Sequence, residues 1–198
     1  MIRALYGGSF DPVHAGHVAL VRTLLERGLA DLVHVVPARQ SPFKPGAAGA
    51  SAAERLHLVE LAFSGLAAVV VDARELGRDE PSYTVTTLAE MVAEHPGDTW
   101  RLVIGADTVA DFHRWHEPAR LLDLARPLVV ARGPVTLAPP LTGRADVLAD
   151  FAHPASATAI REDLAAGILP GPDRLPAAVA AAIIAAGLYG WPGPTTGS

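Results

Sequence analysis

The sequence predicts an α/β fold in which helices cover both faces of a parallel sheet. Apolar runs of strand length recur along the 198 residues, at Ile2–Tyr6, Leu32–Pro37, Ala68–Asp72, Trp100–Ile104 and Pro127–Ala131. Helical patterns separate them. The runs are continuously apolar rather than alternating, which is how strands buried on both faces read. Right-handed crossovers then give a doubly wound, Rossmann-like sheet.

In chain order, the first strand leads through Gly7-Gly8-Ser9-Phe10-Asp11-Pro12 into a helix whose Val18, Val21, Leu24 and Leu25 share a face. The second strand is followed by a Pro/Gly/Ala-rich loop, Ala38–Ala50, of the length that often carries function. Ser51-Ala52-Ala53-Glu54 is a capping box that opens a helix to about Phe63. Val85, Leu88, Ala89 and Val92 follow the i, i+3, i+4, i+7 spacing of a one-faced helix. Pro118–Ala125 gives a short helix, and Ala145–Pro154 is weakly patterned. Ala155–Gly167 contains a small C-terminal helix, with Ile160 and Leu164 one turn apart. Pro176 and Gly187 bracket the last one, Pro inside the start and Gly past the end. Residues 1–190 are expected to form one domain and residues 191–198, rich in Pro, Gly, Ser and Thr, a flexible tail.

Composition narrows the function classes. Half the residues are apolar and the formal net charge is −5, which argues against wholesale binding to nucleic acid or to an anionic membrane. A phosphate site must therefore be local. There are no cysteines, so disulfide scaffolds and thiolate metal sites are excluded, in keeping with a cytoplasmic enzyme. Met1-Ile2-Arg3 runs straight into a strand pattern without a signal-peptide pattern. Ala177–Gly187, the most apolar stretch, is too short to span a bilayer. Oligomeric state is not written in these features, and a homo-oligomer is compatible with them.

The chemistry concentrates at the start. Gly7 and Gly8 lack a Cβ, so a phosphate can approach the backbone, and the helix that follows offers N–H groups and a positive dipole end. His14 and His17 lie three residues apart, on nearly one face of its first turn. In open parallel sheets such residues stand at the carboxyl edge of the strands, where ligands bind. The stretch is neither a dinucleotide fingerprint nor a Walker loop.

Its form, Gly7-Gly8-Ser9-Phe10-Asp11-Pro12-Val13-His14-Ala15-Gly16-His17, resembles the H-x-G-H signature of nucleotidyltransferases, and in particular the bacterial nicotinate-nucleotide adenylyltransferases. Further segments are similar to that family in the same order. They are Ser82-Tyr83-Thr84, Gly105-Ala106-Asp107 with Phe112-His113-Arg114-Trp115, Val130-Ala131-Arg132, and Ser156-Ala157-Thr158-Ala159-Ile160-Arg161. The chain departs from the family at Ala155, where a β-branched residue is usual, and in lacking an aromatic residue near Ile183.

The resemblance implies transfer of the adenylyl group of ATP to nicotinate mononucleotide, with pyrophosphate leaving and Mg²⁺ carried with ATP. It implies catalytic roles for His14 and His17 at the α-phosphate and for Arg161 at the β- and γ-phosphates. ATP contacts are expected from Gly7, Gly8, Ser9, Phe10, Gly105, Asp107, Ser156 and Thr158. Mononucleotide contacts are expected from Lys44, Ser82, Tyr83, Thr84, Trp115 and Arg132. In this reading Trp115 stacks on the pyridine ring, and the helix opening at Ser82–Thr84 offers N–H groups to its carboxylate.

Plainer readings stand beside these. Ser156 and Thr158 read equally as helix caps and Asp107 as an N-cap. Arg161 could pair with Glu162 or Asp163, Trp115 could be a packing residue, and Lys44 a solvated one. His113 and His116 have the spacing of a metal pair, but two histidines without a third ligand rarely suffice, and no metal site is expected. His34, His57, His95 and His153 are read as structural. Rival functions are an adenylyltransferase of the same superfamily acting on nicotinamide mononucleotide or phosphopantetheine, and a nucleotide-binding module without turnover.

Overall fold

The computed structural model describes residues 1–39, 49–78 and 82–193. Its centre is a parallel sheet built from β1 (Ile2–Gly8), β2 (Leu32–Pro37), β3 (Val69–Val71), β4 (Thr99–Gly105), β5 (Arg126–Val130) and β6 (Asp146–Leu148). The strand order is β3-β2-β1-β4-β5-β6. The chain winds outward from β1 in one direction, then returns to β4 and winds outward in the other. The switch between β1 and β4 opens a crevice at the carboxyl ends of these strands, the usual ligand position in such sheets.

Successive residues of β1 serve opposite faces, as the period of a strand requires. Ala4 packs into one cluster with Leu20, Val21 and Leu24 of α1 (Ala15–Glu26) and Leu58 and Val59 of α2 (Ala52–Phe63). Ile160 and Leu164 of α5 (Ala157–Ala165) and Val179 and Ile183 of α6 (Ala177–Ala186) join it. Leu5 packs into the other cluster, with Val85, Leu88 and Met91 of α3 (Thr84–Glu94) and Leu121 and Leu122 of α4 (Pro118–Leu124). Both faces are therefore covered, as the apolar strand runs require.

The expected helices form close to their expected bounds. At α2 the capping box is complete: the Glu54 N–H donates to Ser51 Oγ at 3.2 Å, and the Ser51 N–H donates to Glu54 Oε2 at 2.7 Å. The sixth strand was not expected. It is three residues long and its Asp146 faces solvent-side charges, so its own sequence carries little strand signal. Its carboxylate takes Arg101 of β4 at 3.0 Å and Arg126 of β5 at 2.9 Å. Trp191, expected in the tail, packs against the first cluster, while residues 194–198 lie outside the described ones.

Candidate active site

The loop from β1 to α1 is organised around Asp11. Its buried carboxylate accepts the Gly49 N–H at 2.7 Å, the Ala50 N–H at 3.2 Å and the Tyr189 hydroxyl at 2.9 Å. Its backbone carbonyl accepts Nη1 of Arg161 at 2.6 Å. Beside it the guanidinium of Arg55, almost fully buried, donates to the carbonyls of Ser9, Ala38 and Arg39 at 2.6 to 2.8 Å. Asp11 and Arg55 thus hold the residues that flank segment 40–48, and Lys44 of that segment lies outside the described residues.

His14 is the N-cap of α1. Its backbone N–H donates to Nδ1 of His17 at 3.0 Å, and the two rings stack with centroids 3.6 Å apart. A ring nitrogen that accepts is unprotonated, so neutral His17 carries its proton on Nε2. The Phe10 ring meets His17 edge-on at 5.0 Å. A Cβ on Gly16 would sit 3.0 Å from the His14 ring and 3.2 Å from Nδ1 of His153, so these imidazoles converge where Gly16 has no side chain. Burial, reinforced by His153, lowers the His14 pKa to about 4. Burial, with His14 and His153, holds His17 well below the ordinary histidine value. Both rings are neutral at pH 7 in the unliganded protein. Of the first-turn N–H groups, that of Ala15 is already donated to the Arg174 carbonyl, and that of His17 to the His14 carbonyl. These two N–H groups are therefore already committed to carbonyls, which leaves the imidazoles as the prominent donors at the helix start.

Two clefts flank the switch point, and Val103 of β4 lines both. The first, about 340 Å³, is lined by His14, His17, Gly105, Asp107, Arg132 and His153, among others. The second, about 350 Å³, is lined by Gly7, Gly8, Ser9, Ser82, Tyr83, Thr84 and Trp115, with Glu75 and His116.

This sorts the expected residues. Ser82, Tyr83, Thr84 and Trp115 come together as expected, at the start of α3. The Trp115 ring lies 5.1 Å from that of Phe112, and Tyr83 stacks on His116 at 4.3 Å. Gly105 and Asp107 join the histidines. The Asp107 carboxylate occupies the space that a Cβ on Gly105 would need, and Gly105, not Asp107, caps the short helix Ala106–Thr108.

Other positions differ from expectation. Gly7, Gly8 and Ser9, expected with ATP, line the second cleft, because β1 ends on the side that faces α3. Arg132, expected with the mononucleotide, lines the first, because β5 ends beyond β4. Phe10 is not available to a ligand: its ring is buried against Tyr6 and His17 at a left-handed φ of 48°. Arg161, Ser156 and Thr158 line neither cleft. They sit where α5 opens, with Ser156 as N-cap and Arg161 reaching Thr158 Oγ1 at 3.4 Å and the Asp11 carbonyl. Asp163 pairs with Arg174 at 2.7 Å rather than with Arg161.

Sequence reasoning missed His153 and Tyr189. His153 follows the unrecognised β6, so its place at the carboxyl edge of the sheet was hidden. Tyr189 lies just past α6 rather than within it, and its ring crosses the position a Gly49 Cβ would take, at 2.8 Å.

Residues 5–163 match the cytidylyltransferase-like family. A probable nicotinate-nucleotide adenylyltransferase of Gloeobacter violaceus is 36% identical over 198 residues, covering 95% of this chain and 96% of that protein. Another, of Rhodopirellula baltica, is 42% identical over 129 residues, covering 65% of this chain and 60% of that protein. Among solved structures, Plasmodium falciparum nicotinic acid mononucleotide adenylyltransferase complexed with NaAD superposes with a TM-score of 0.73 at 17% identity, over 96% of this chain and 98% of that one. At that identity the likeness is one of fold.

Proposed function

The chain belongs to the cytidylyltransferase-like family and, within it, to the nicotinate-nucleotide adenylyltransferases, and from that membership we propose how its site works. The enzyme transfers the adenylyl group of ATP to nicotinate mononucleotide, giving nicotinate adenine dinucleotide and pyrophosphate in NAD biosynthesis. The observation that carries this reading of the site is the pair of clefts that share Val103 of β4, with the stacked His14–His17 pair lining the first.

In this proposal ATP places its adenosine in the first cleft, where Asp107 accepts from ribose hydroxyls and Arg132 faces phosphate. Nicotinate mononucleotide occupies the second, with Trp115 against the pyridine ring and the α3 N-terminus toward its carboxylate. The dipole of α3 favours the anion over a neutral amide. Gly7 and Gly8 let the attacking phosphate pass close to the backbone, and Lys44, outside the described residues, is assigned to the same phosphate.

An oxygen of the mononucleotide phosphate attacks Pα, the bond from Pα to the bridging oxygen breaks, and that oxygen leaves with its electron pair on pyrophosphate. The attacking group is already an anion, so no protein nucleophile or base is needed. Positioning and stabilisation of developing charge do the work. His17 aims Nε2–H at the Pα oxygens because its Nδ1 is committed to the His14 backbone. Arg161, with Ser156 and Thr158, takes the departing pyrophosphate, for which its planar fork suits bidentate contact.

Mg²⁺ bound with ATP would offset phosphate charge. Asp107 is the carboxylate that lines the first cleft, and among the described residues no group of three or more acidic or histidine side chains is arranged to hold a metal. That donor set fits an ion that keeps its waters and phosphate ligands.

The proposal includes one domain over residues 1–190, since α5 and α6 pack on the same sheet face as α1 and α2. Among the described residues no helix is long and apolar enough to cross a membrane, and a cytoplasmic location suits a chain without cysteine. The test is to supply ATP and Mg²⁺ with nicotinate mononucleotide, nicotinamide mononucleotide or phosphopantetheine and follow pyrophosphate release. Release chiefly with the nicotinate compound supports the reading; release with phosphopantetheine alone overturns it.

A further inference from the structure

We propose that His153 is a third imidazole of the adenylyl-transfer site, contacting the phosphate chain of ATP beside His14 and His17. The inference rests on the functional reading above. It begins from placement: His153 lies between β6 and α5, lines the same cleft as His14, His17, Asp107 and Arg132, and meets His14 across the missing Cβ of Gly16.

Its ring is oriented from behind. Nδ1 accepts the Ala155 N–H at 3.2 Å, so neutral His153 carries its proton on Nε2, as His17 does. Nε2 is then the ring nitrogen left to donate. The His153 carbonyl also accepts Nη2 of Arg132 at 3.4 Å, which ties the arginine of this cleft to the same segment.

The electrostatics point to an anion as the group that completes this arrangement. His14 and His17 are each held toward the neutral form in part by His153, so the imidazoles oppose one another's charge. A bound phosphate lies next to all of them and reverses that balance, because an adjacent negative charge favours the protonated ring. The imidazoles that keep one another neutral in the free protein can therefore each offer a donor, and His14 and His17 a positive charge, once the polyphosphate is bound.

Two substitutions separate contact with ATP from a structural role. His153→Asn keeps an acceptor placed for the Ala155 N–H but removes the donor at the far end of the ring. His153→Gln returns an N–H donor at about the reach of Nε2. ATP affinity is measured by calorimetry without acceptor, thermal melting is recorded, and KM is measured for each substrate. His153→Asn is expected to melt near wild type, to bind ATP about tenfold more weakly, the scale of one charge-assisted hydrogen bond, and to leave the KM for the mononucleotide within about twofold. His153→Gln is expected to recover most of that loss. Wild-type ATP affinity in His153→Asn, or an equal loss for both substrates, overturns the proposal. Absence of turnover in the wild-type enzyme would instead count against the functional reading, and the calorimetry remains readable in that case.

Discussion

The Tyr189 hydroxyl donates to the buried carboxylate of Asp11 at 2.9 Å, joining residues 178 positions apart. The bond fastens the end of the chain to the loop that precedes His14. Asp11 also lies near the buried guanidinium of Arg55, which draws on carbonyls for its hydrogen bonds and on Asp11 for nearby negative charge.

Removing the Asp11 carboxylate therefore leaves the Gly49 N–H and the buried Ala50 N–H and Tyr189 hydroxyl without this partner, and Arg55 without its counter-charge. Asp11→Ala should destabilise the fold by about 3–5 kcal/mol, and Tyr189→Phe by about 1–3 kcal/mol. Urea unfolding of both variants checks this. A Tyr189→Phe midpoint equal to wild type would remove the bond from the account.

His17→Ala should lower kcat about a hundredfold or more, the scale of losing one preorganised donor at the reacting centre. Circular dichroism and melting serve as controls for folding. Near-normal turnover in a folded variant would take His17 out of the mechanism.

These two predictions draw on different kinds of sequence information. The fold was legible because each apolar strand and each helix carries its own period, and the Ser51–Glu54 capping box marks its helix without any distant contact. The His14–His17 pair was legible for the same reason, since both residues lie in one turn. The rest depends on long-range packing. β6 is three residues long and is fixed by its pairing with β5, by buried Leu148 and by the contacts of Asp146 with Arg101 and Arg126, none of which is a local pattern. Arg132 shares a cleft with the histidines, and Gly7–Ser9 share one with Trp115, because the side of the switch point each strand end faces is set by strand order. Tyr189 and His153 become visible only when Gly49 and Gly16 are seen to make room for them.

Trp115→Ala should raise the KM for nicotinate mononucleotide about tenfold, in line with about 1–3 kcal/mol for stacking a base on an aromatic ring. The KM for ATP should change little, because Trp115 lines only the cleft assigned to the mononucleotide. Steady-state kinetics with each substrate varied in turn decides it. A defect confined to ATP would reverse the assignment of the clefts.

Stability should fall as pH drops below neutrality. His14 and His34 titrate near 4 and His17 lies well below its ordinary value, each chiefly because burial disfavours the charged ring. The unfolded chain binds protons on these rings near pH 6.5, so between that pH and about 4 it holds more protons than the folded one. Their contribution is fully present above about pH 6.5 and is lost progressively below it. Melting temperatures between pH 7.5 and 5 should decline, and saturating ATP should reduce the decline by favouring protonated His14 and His17. A melting temperature that rises toward pH 5 without nucleotide would contradict this.

The most direct test follows the phosphorus atoms. The enzyme is given nicotinate mononucleotide, Mg²⁺ and ATP labelled either at the α- or at the γ-phosphate, and the products are separated. Attack at Pα predicts that the α-label enters nicotinate adenine dinucleotide while the γ-label leaves in pyrophosphate. Recovery of the γ-label on the mononucleotide, or of the α-label in ADP, would show attack at another phosphorus and contradict adenylyl transfer.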